Sequence, residues 1–197
     1  MYDFCRAVMI MIVRLIFSYS ATGEEIVPKS GPVIIASNHR TGWDPVFVAI
    51  AVERHMHFMA KVELFRYPVL KELLPRINVF PVRRGQFDRS AVKHALSVLS
   101  AGEVLGIFPE GTRHRDGQLG DALSGVAYFA WKTGAVVIPA AVVTSRGFRP
   151  RVRVKFGSRI ELPRPGEKVD SALLERHTKI VMDRIRDLVE DMTRGAA

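Results

Sequence analysis

Asn38-His39-Arg40-Thr41-Gly42-Trp43-Asp44-Pro45 is the stretch on which the reading of this chain depends, and it directly follows an apolar run at residues 33–36. A second polar stretch, Phe108-Pro109-Glu110-Gly111-Thr112-Arg113, directly follows another apolar run at residues 104–107. Short apolar runs bounded by turn residues indicate buried strands. Each polar stretch is therefore predicted to follow a strand of the same sheet. Together the two stretches are predicted to form two walls of one active site.

The rest of the chain alternates strand and helix patterns, which predicts the α/β class. Residues 88–100 have helical spacing with Asp88 as the cap, and residues 135–143 are almost wholly apolar, as in a strand covered on both faces. Pro81 indicates an edge strand or the end of a strand. Residues 151–156 alternate basic with apolar side chains, which predicts a strand with one positive, solvated face. We expect a single domain with a mostly parallel central sheet covered by helices.

Composition narrows the classes of partner. The 197 residues include 29 Lys and Arg against 20 Asp and Glu, a formal net charge of +9 that favours anionic partners. The basic residues are dispersed, and Trp43 and Trp131 lie in apolar patterns rather than among the arginines, so no nucleic-acid partner is expected. The one cysteine, Cys5, excludes a disulfide within the chain and a cysteine metal cluster.

The first helix needs a separate interpretation because its apolar run, residues 7–13, ends at Arg14. A spanning helix needs about 20 predominantly apolar residues. We therefore predict an interfacial helix that lies in one leaflet of an anionic membrane, so that the protein is peripheral or monotopic, on the cytoplasmic face. The alternative is a helix packed on the core of the domain.

The first polar stretch carries a histidine and an aspartate five positions apart. On one continuous helix that spacing is a rotation of about 140°, so His39 and Asp44 can meet only if the chain turns at Thr41 and Gly42. In such a turn Asp44 would hold the proton-bearing ring nitrogen of His39, start a helix as its N-cap and precede Pro45 at the first helical position. Backbone amides near this turn, which the sequence does not locate, are predicted to bind an oxyanion. The alternative is a histidine and an aspartate that only stabilise a loop and cap a helix.

The second polar stretch is predicted to bind an anion. Gly111 lets the backbone approach a ligand, Arg113 offers a planar fork for a phosphate, and Glu110 would hold that arginine or a substrate hydroxyl. Arg83 and Arg84 follow another strand, and neighbouring side chains of an extended chain point to opposite sides, so one of them is expected to face the site. We choose Arg83.

These blocks, followed by Val137-Ile138-Pro139-Ala140, resemble the glycerolipid acyltransferase family that includes the lysophosphatidic acid acyltransferases and carries a His-x4-Asp motif. The resemblance covers roughly residues 33–143. It implies that His39 is the general base, that Asp44 orients it, and that Pro139 lies near the acyl site. It also implies phosphate-binding roles for five residues: Arg83, Glu110, Gly111, Thr112 and Arg113.

The resemblance implies transfer of a fatty acyl group from acyl-CoA or acyl carrier protein to the hydroxyl of lysophosphatidic acid, giving phosphatidic acid. No cofactor and no metal are expected, since His55 and His57 have no third ligand nearby in sequence. The alternatives are the same chemistry on glycerol phosphate, a lyso-aminolipid or a glycolipid, and a non-catalytic membrane-binding protein. We predict a membrane-associating helix and connector at residues 1–27 and an acyltransferase domain at residues 28–197.

Overall fold

A computed structural model describes residues 1–113, 125–162 and 168–194 of the chain. The described strands are β1 (Ser18–Thr22), β2 (Val33–Ser37), β3 (Met56–Lys61), β4 (Val79–Val82), β5 (Val104–Ile107), β6 (Val136–Thr144) and β7 (Arg151–Phe156). The described α-helices are α1 (Tyr2–Ile16), α2 (Asp44–Ala51), α3 (Pro68–Arg76), α4 (Arg89–Ser100), α5 (Gly125–Thr133) and α6 (Ser171–Arg194), and short 3₁₀ helices cover Glu24–Ile26 and Val62–Arg66.

The strands form one sheet in the order β1-β7-β6-β2-β5-β3-β4. Neighbouring strands run parallel except β6 and β7, which are antiparallel. The predicted α/β class with a mostly parallel sheet is confirmed. Because β2, β5, β3 and β4 are parallel neighbours, their carboxyl ends meet along one edge of the sheet, where ligands bind in open α/β folds.

Helices cover both faces of the central strands. On β2, Val33 and Ile35 pack towards α1 and α2, whereas Ile34 and Ala36 pack towards α4, α5 and α6. All five residues of β2 are buried, because a central parallel strand has no solvated face. The same packing on both faces explains the almost wholly apolar β6.

Local sequence signals place the ends of several elements as predicted. The Asp88 carboxylate accepts hydrogen bonds from the backbone N–H groups of Ser90 and Ala91 and caps α4. Pro81 lies in β4, which is the edge strand of the sheet.

Residues 1–27 are not a separate unit of the structure. β1 pairs in parallel with β7 and belongs to the sheet, so the predicted boundary at residue 28 cuts through the fold. Val13 of α1 is fully buried in the core, while Phe4, Met11 and Leu15 are 70 %, 66 % and 80 % exposed. The helix therefore packs on the domain with one face, as the alternative reading expected, and exposes apolar side chains on another. No helix among the described residues combines the length and apolar character needed to cross a bilayer.

Candidate active site

The polar stretches follow three strands of the parallel group and lie at one edge of the sheet. His39 follows β2, Glu110 and Arg113 follow β5, and Arg84 follows β4, with β3 between β5 and β4. The sheet thus brings together residues that lie up to 74 positions apart in sequence, His39 and Arg113 being the outermost pair.

The chain turns between His39 and Asp44 as their spacing requires. The Nδ1 atom of His39 lies 3.0 Å from Oδ2 of Asp44, and the two residues are only 4 % and 1 % exposed. The hydroxyl of Thr41 donates to Asp44 Oδ1 over 2.8 Å, which holds the other carboxylate oxygen. With Nδ1 facing a carboxylate, the imidazole carries its proton there, and Nε2 is the ring nitrogen left as a proton acceptor.

One detail of this turn differs from the predictions. Trp43 occupies the N-cap position of α2. The Asp44 carboxylate instead points back along the chain and accepts hydrogen bonds from the backbone N–H groups of Arg40 at 2.6 Å and Thr41 at 2.7 Å. Asp44 therefore starts α2 without acting as its N-cap. Because the Arg40 and Thr41 amides already donate to Asp44, an oxyanion near this turn would need other donors.

His39 is held from two other directions. Its backbone N–H donates to Oε1 of Glu110 over 3.0 Å, and its ring stacks on Phe108 at 4.2 Å between ring centroids. Glu110 is 6 % exposed, so this buried carboxylate ties the β2 turn to the β5 turn. The prediction that Glu110 holds Arg113 or a substrate hydroxyl missed this contact with the main chain of His39.

Asn38 is a further residue of the site that the sequence reasoning missed. Its side-chain amide donates to the Val142 carbonyl over 3.0 Å and accepts the Val142 N–H over 2.7 Å. Backbone pairing between β2 and β6 ends at Ser37 and Ala140, so the Asn38 side chain replaces it and frees the main chain to turn. The signal for this role in the sequence was an asparagine close after an apolar run and directly before the histidine.

Arg113 lies across the turn that joins His39 to Asp44. A methyl group built on Gly42 would be 3.5 Å from Nη2 of Arg113, so the guanidinium rests against the open face of that glycine. Gly111 has a φ of 66° and its N–H donates to the Phe108 carbonyl, which makes the tight turn that returns Arg113 towards β2. Thr112 is exposed beside it.

The positive charge of Arg113 acts on Arg84, the neighbour of the predicted Arg83. Partial burial of its guanidinium lowers the pKa of Arg84, and the positive charge of Arg113 lowers it further, against the opposing charge of Glu63. The Arg83 side chain instead lines a surface cavity beside Asp88. The Asp88 carboxylate accepts a hydrogen bond from the backbone N–H of Arg83 over 2.9 Å. The phosphate-binding role of Arg83 stays a prediction, and the charge of Arg113 makes Arg84 the second candidate.

Pro139 lies away from the other predicted site residues. It is buried in β6 and its ring approaches Gly157 and Leu188 of α6, on the face of the sheet opposite α2. An apolar cavity of about 110 Å³ lies on the α2 face instead, between α1, α2, β3 and β4. Pro45 and Phe58 line it, which places the cavity directly beside Asp44 and the Phe108 ring that stacks on His39.

The two histidines near β3 have different environments. His55 Nε2 lies 2.7 Å from Oδ1 of Asp3 at the surface, and burial lowers the pKa of His57. In the parts of the chain that the structure describes, no three or more His, Cys, Asp or Glu side chains group as metal ligands would.

Comparisons with known proteins identify the family of this chain. The model of a family described as Acyltransferase matches residues 19–143. A 1-acyl-sn-glycerol-3-phosphate acyltransferase of Bacillus subtilis is 34 % identical over 115 residues, which are 57 % of this chain and 57 % of that protein. An enzyme of the same name from Borreliella burgdorferi is 33 % identical over 129 residues, 64 % of this chain and 52 % of that protein.

The fold has a solved counterpart. The crystal structure of the 1-acyl-sn-glycerophosphate (LPA) acyltransferase PlsC from Thermotoga maritima superposes with a TM-score of 0.79 at 23 % identity, over 98 % of this chain and 79 % of that one. At this identity the likeness establishes the fold. The matched regions span little more than half the length of the two curated relatives from Bacillus and Borreliella.

Proposed function

This chain belongs to the acyltransferase family, and we propose that it transfers a fatty acyl group from an acyl thioester to the hydroxyl of lysophosphatidic acid, forming phosphatidic acid. One observation carries the proposal. The Arg113 guanidinium rests on Gly42, inside the turn whose two ends are the paired His39 and Asp44. A proton acceptor and an anion-binding group therefore border the same small space, as an acceptor that bears both a hydroxyl and a phosphate requires.

His39 is the proposed general base. Nε2 of the neutral imidazole takes the proton of the acceptor hydroxyl as its oxygen attacks the thioester carbonyl. The carbon–sulfur bond breaks, and the thiolate leaves with the proton returned from the imidazolium. Asp44 accepts four hydrogen bonds, from His39, Arg40 and twice from Thr41, which fixes its carboxylate as the partner of the imidazolium. This transfer needs no metal, no cofactor and no acyl-enzyme.

Arg84 and Arg113 are the proposed phosphate ligands. Two guanidinium groups close enough for one charge to lower the pKa of the other repel each other when no anion lies between them. A phosphate monoester relieves that repulsion and accepts bidentate hydrogen bonds from both forks. An acceptor without a phosphate would leave both charges unpaired, which favours lysophosphatidic acid over glycolipids and lyso-aminolipids.

The apolar cavity beside Asp44 is the proposed place for an acyl chain. Met9 of α1, Ile50 of α2 and Val79 of β4 line it together with Pro45 and Phe58. Burying hydrocarbon there would contribute about 0.8 kcal/mol for each methylene removed from water.

The exposed apolar side chains of α1 are the proposed membrane contact. Phe4, Met11 and Leu15 recur at helical spacing on the face that is turned away from the core. Changing all three to serine should weaken sedimentation with anionic vesicles. The matched control is Val69→Ser, because Val69 is 75 % exposed on α3. Equal sedimentation of both variants would show that α1 is only a structural helix.

The proposed reaction is tested with purified protein, lysophosphatidic acid, glycerol phosphate and a lyso-aminolipid, each with acyl-CoA and acyl carrier protein as donor. We expect turnover with lysophosphatidic acid, and His39→Ala should lower kcat by about 10²–10⁴. His55→Ala is the control, since that histidine lies at the surface beside Asp3. Wild-type turnover by His39→Ala, or preference for a phosphate-free acceptor, would overturn the proposal.

The phosphate ligands are tested by the acceptor KM. Arg84→Gln and Arg113→Gln should each raise it about tenfold or more, because each removes a charge-assisted hydrogen-bonding fork. Arg83→Gln and the exposed Arg159→Gln should leave it nearly unchanged. A larger effect of Arg83→Gln than of Arg84→Gln would restore the sequence-based choice.

A further inference from the structure

A second group of arginines surrounds a surface cavity of about 410 Å³ on the other flank of the sheet. The cavity lies where β6 ends and where β7 and β1 begin. Because β6 runs parallel to β2, this is the same edge of the sheet that carries His39. The polar residues that line the cavity are Ser18, Ser145, Arg149, Arg151, Arg153 and Thr193.

The arginines of this cavity have no acidic counterpart. No carboxylate among the described residues forms an ion pair with Arg149, Arg151 or Arg153. Two of the three serve helix ends, since Arg149 donates to the Arg14 carbonyl over 2.7 Å and Arg153 donates to the Met192 carbonyl over 2.5 Å. Both carbonyls lie in the last turns of their helices, α1 and α6.

Helix capping does not explain all of this charge. A helix C-terminus carries about −0.5 of an elementary charge, so the two ends together offset about one of the three positive charges. Counted over the residues that the structure describes, the cavity keeps an excess of about +2. Arg151 makes no side-chain hydrogen bond or ion pair with the described residues, and its backbone N–H donates to the Ser145 hydroxyl over 2.8 Å. Two guanidinium groups are thus fixed by helix ends, and a third is free to meet an anion.

We propose that this arginine cavity binds the phosphate group of a second phosphate-bearing ligand. Three guanidinium forks and the hydroxyl of Ser18 offer donors to several oxygens of one tetrahedral anion. The cavity is separate from the Arg84 and Arg113 pair, which lies beyond β2 on the opposite flank. Strands are about 4.8 Å apart, so β7 is about 10 Å from β2 across β6. The phosphate ester belongs to the coenzyme of the acyl donor or to a phospholipid headgroup.

The test measures equilibrium binding without turnover, in an Arg84→Gln/Arg113→Gln background that removes the proposed acceptor site. The probes are inorganic phosphate, coenzyme A, and phosphatidylcholine vesicles with and without phosphatidate. Arg151→Gln is the main variant because the Arg151 side chain holds no structural partner, and its unfolding midpoint should match that of the parent. Arg146→Gln is the matched control, since Arg146 is exposed on the same loop but does not line the cavity.

We expect Arg151→Gln to weaken binding of at least one probe about tenfold, and Arg146→Gln to change it little. Loss with inorganic phosphate and coenzyme A assigns the cavity to the donor coenzyme, whereas loss only with phosphatidate vesicles assigns it to a lipid headgroup. Arg151→Lys should recover part of the lost affinity. If Arg151→Gln and Arg146→Gln have equal effects on every probe, the cavity is not a phosphate site. Since turnover is not measured, this failure is distinct from a failure of the proposed reaction.

Discussion

Asn38→Ala removes the side chain that joins the end of β2 to β6. The amide of Asn38 makes two hydrogen bonds with the backbone of Val142, and both residues are at most 2 % exposed. Without it, a buried N–H and a buried carbonyl lose their partners, at about 1–3 kcal/mol each. We expect the free energy of unfolding to fall by about 3 kcal/mol, measured by urea denaturation.

The same change should affect catalysis beyond its effect on stability. Asn38 directs the main chain away from the sheet just before His39, so its loss lets the imidazole move relative to Asp44. Misplacement of a catalytic group by about 1 Å costs about a hundredfold in rate, so kcat should fall by about that factor under conditions where the variant is fully folded. Ser37→Ala is the control, because the Ser37 hydroxyl is equally buried but has only long contacts of 3.4 and 3.5 Å.

The Asn38→Asp variant separates the hydrogen bond that the Asn38 side chain donates from the one that it accepts. An aspartate can accept the Val142 N–H, but its carboxylate would face the Val142 carbonyl, so its pKa should be raised in the folded protein. A carboxyl whose pKa is higher in the folded state stabilises below its ordinary pKa and loses that contribution as the pH rises. Asn38→Asp should therefore come closest to the wild type at acidic pH and be weakest near neutrality. If Asn38→Ala is no less stable than Ser37→Ala, or Asn38→Asp shows no pH dependence relative to wild type, the role given to this amide is wrong.

Three further changes test the surroundings of the site. Gly106→Ala should destabilise the protein by about 1–3 kcal/mol, because a methyl group on Gly106 would overlap the buried Phe58 ring; a neutral result in urea denaturation would show that the ring can move. Thr178→Val should raise the free energy of unfolding by about 1 kcal/mol, because the buried Thr178 hydroxyl has no hydrogen-bond partner among the described residues; a loss of stability would reveal a partner. Hydrogen bonds from Ser90 and from backbone N–H groups lower the pKa of Asp88, so its stabilisation should be complete above the ordinary carboxyl pKa and fade as the pH falls below it. The stability difference between wild type and Asp88→Ala should shrink accordingly on acidification, and a constant difference from neutral to strongly acidic pH would contradict the cause given for the shift.

The elements that the sequence predicted best are those with strong local signals. Asp88 caps α4, Pro81 lies in the edge strand, and the almost wholly apolar β6 is covered on both faces. Each of these depends on the chemistry of neighbouring residues: a carboxylate near free N–H groups, a missing N–H, or a run of apolar side chains. Such signals can be recognised in the sequence without knowledge of the tertiary contacts.

The details that the sequence left open depend on directions and distances between strands. Whether Arg83 or Arg84 faces Arg113 depends on the direction in which β4 ends, and one residue of error reverses the side. The alternation of side chains along β6 turns Pro139 towards α6 and away from the apolar cavity, a direction that the family resemblance did not supply. Asp44 was assigned to cap α2, but the nearer N–H groups of Arg40 and Thr41 compete successfully for its carboxylate.

By itself, the sequence determined the α/β class and the pairing of His39 with Asp44, and it predicted an anion-binding role for the Arg113 turn, because these follow from periodicity, turn residues and charge. Only the tertiary structure decided that Arg113 rests on Gly42, that Glu110 holds the main chain of His39, and that Asn38 replaces the backbone pairing of β2. The reason is physical. Hydrogen bonds and charges act over a few ångströms, and it is the folding of parallel strands into one sheet that brings distant segments within that range.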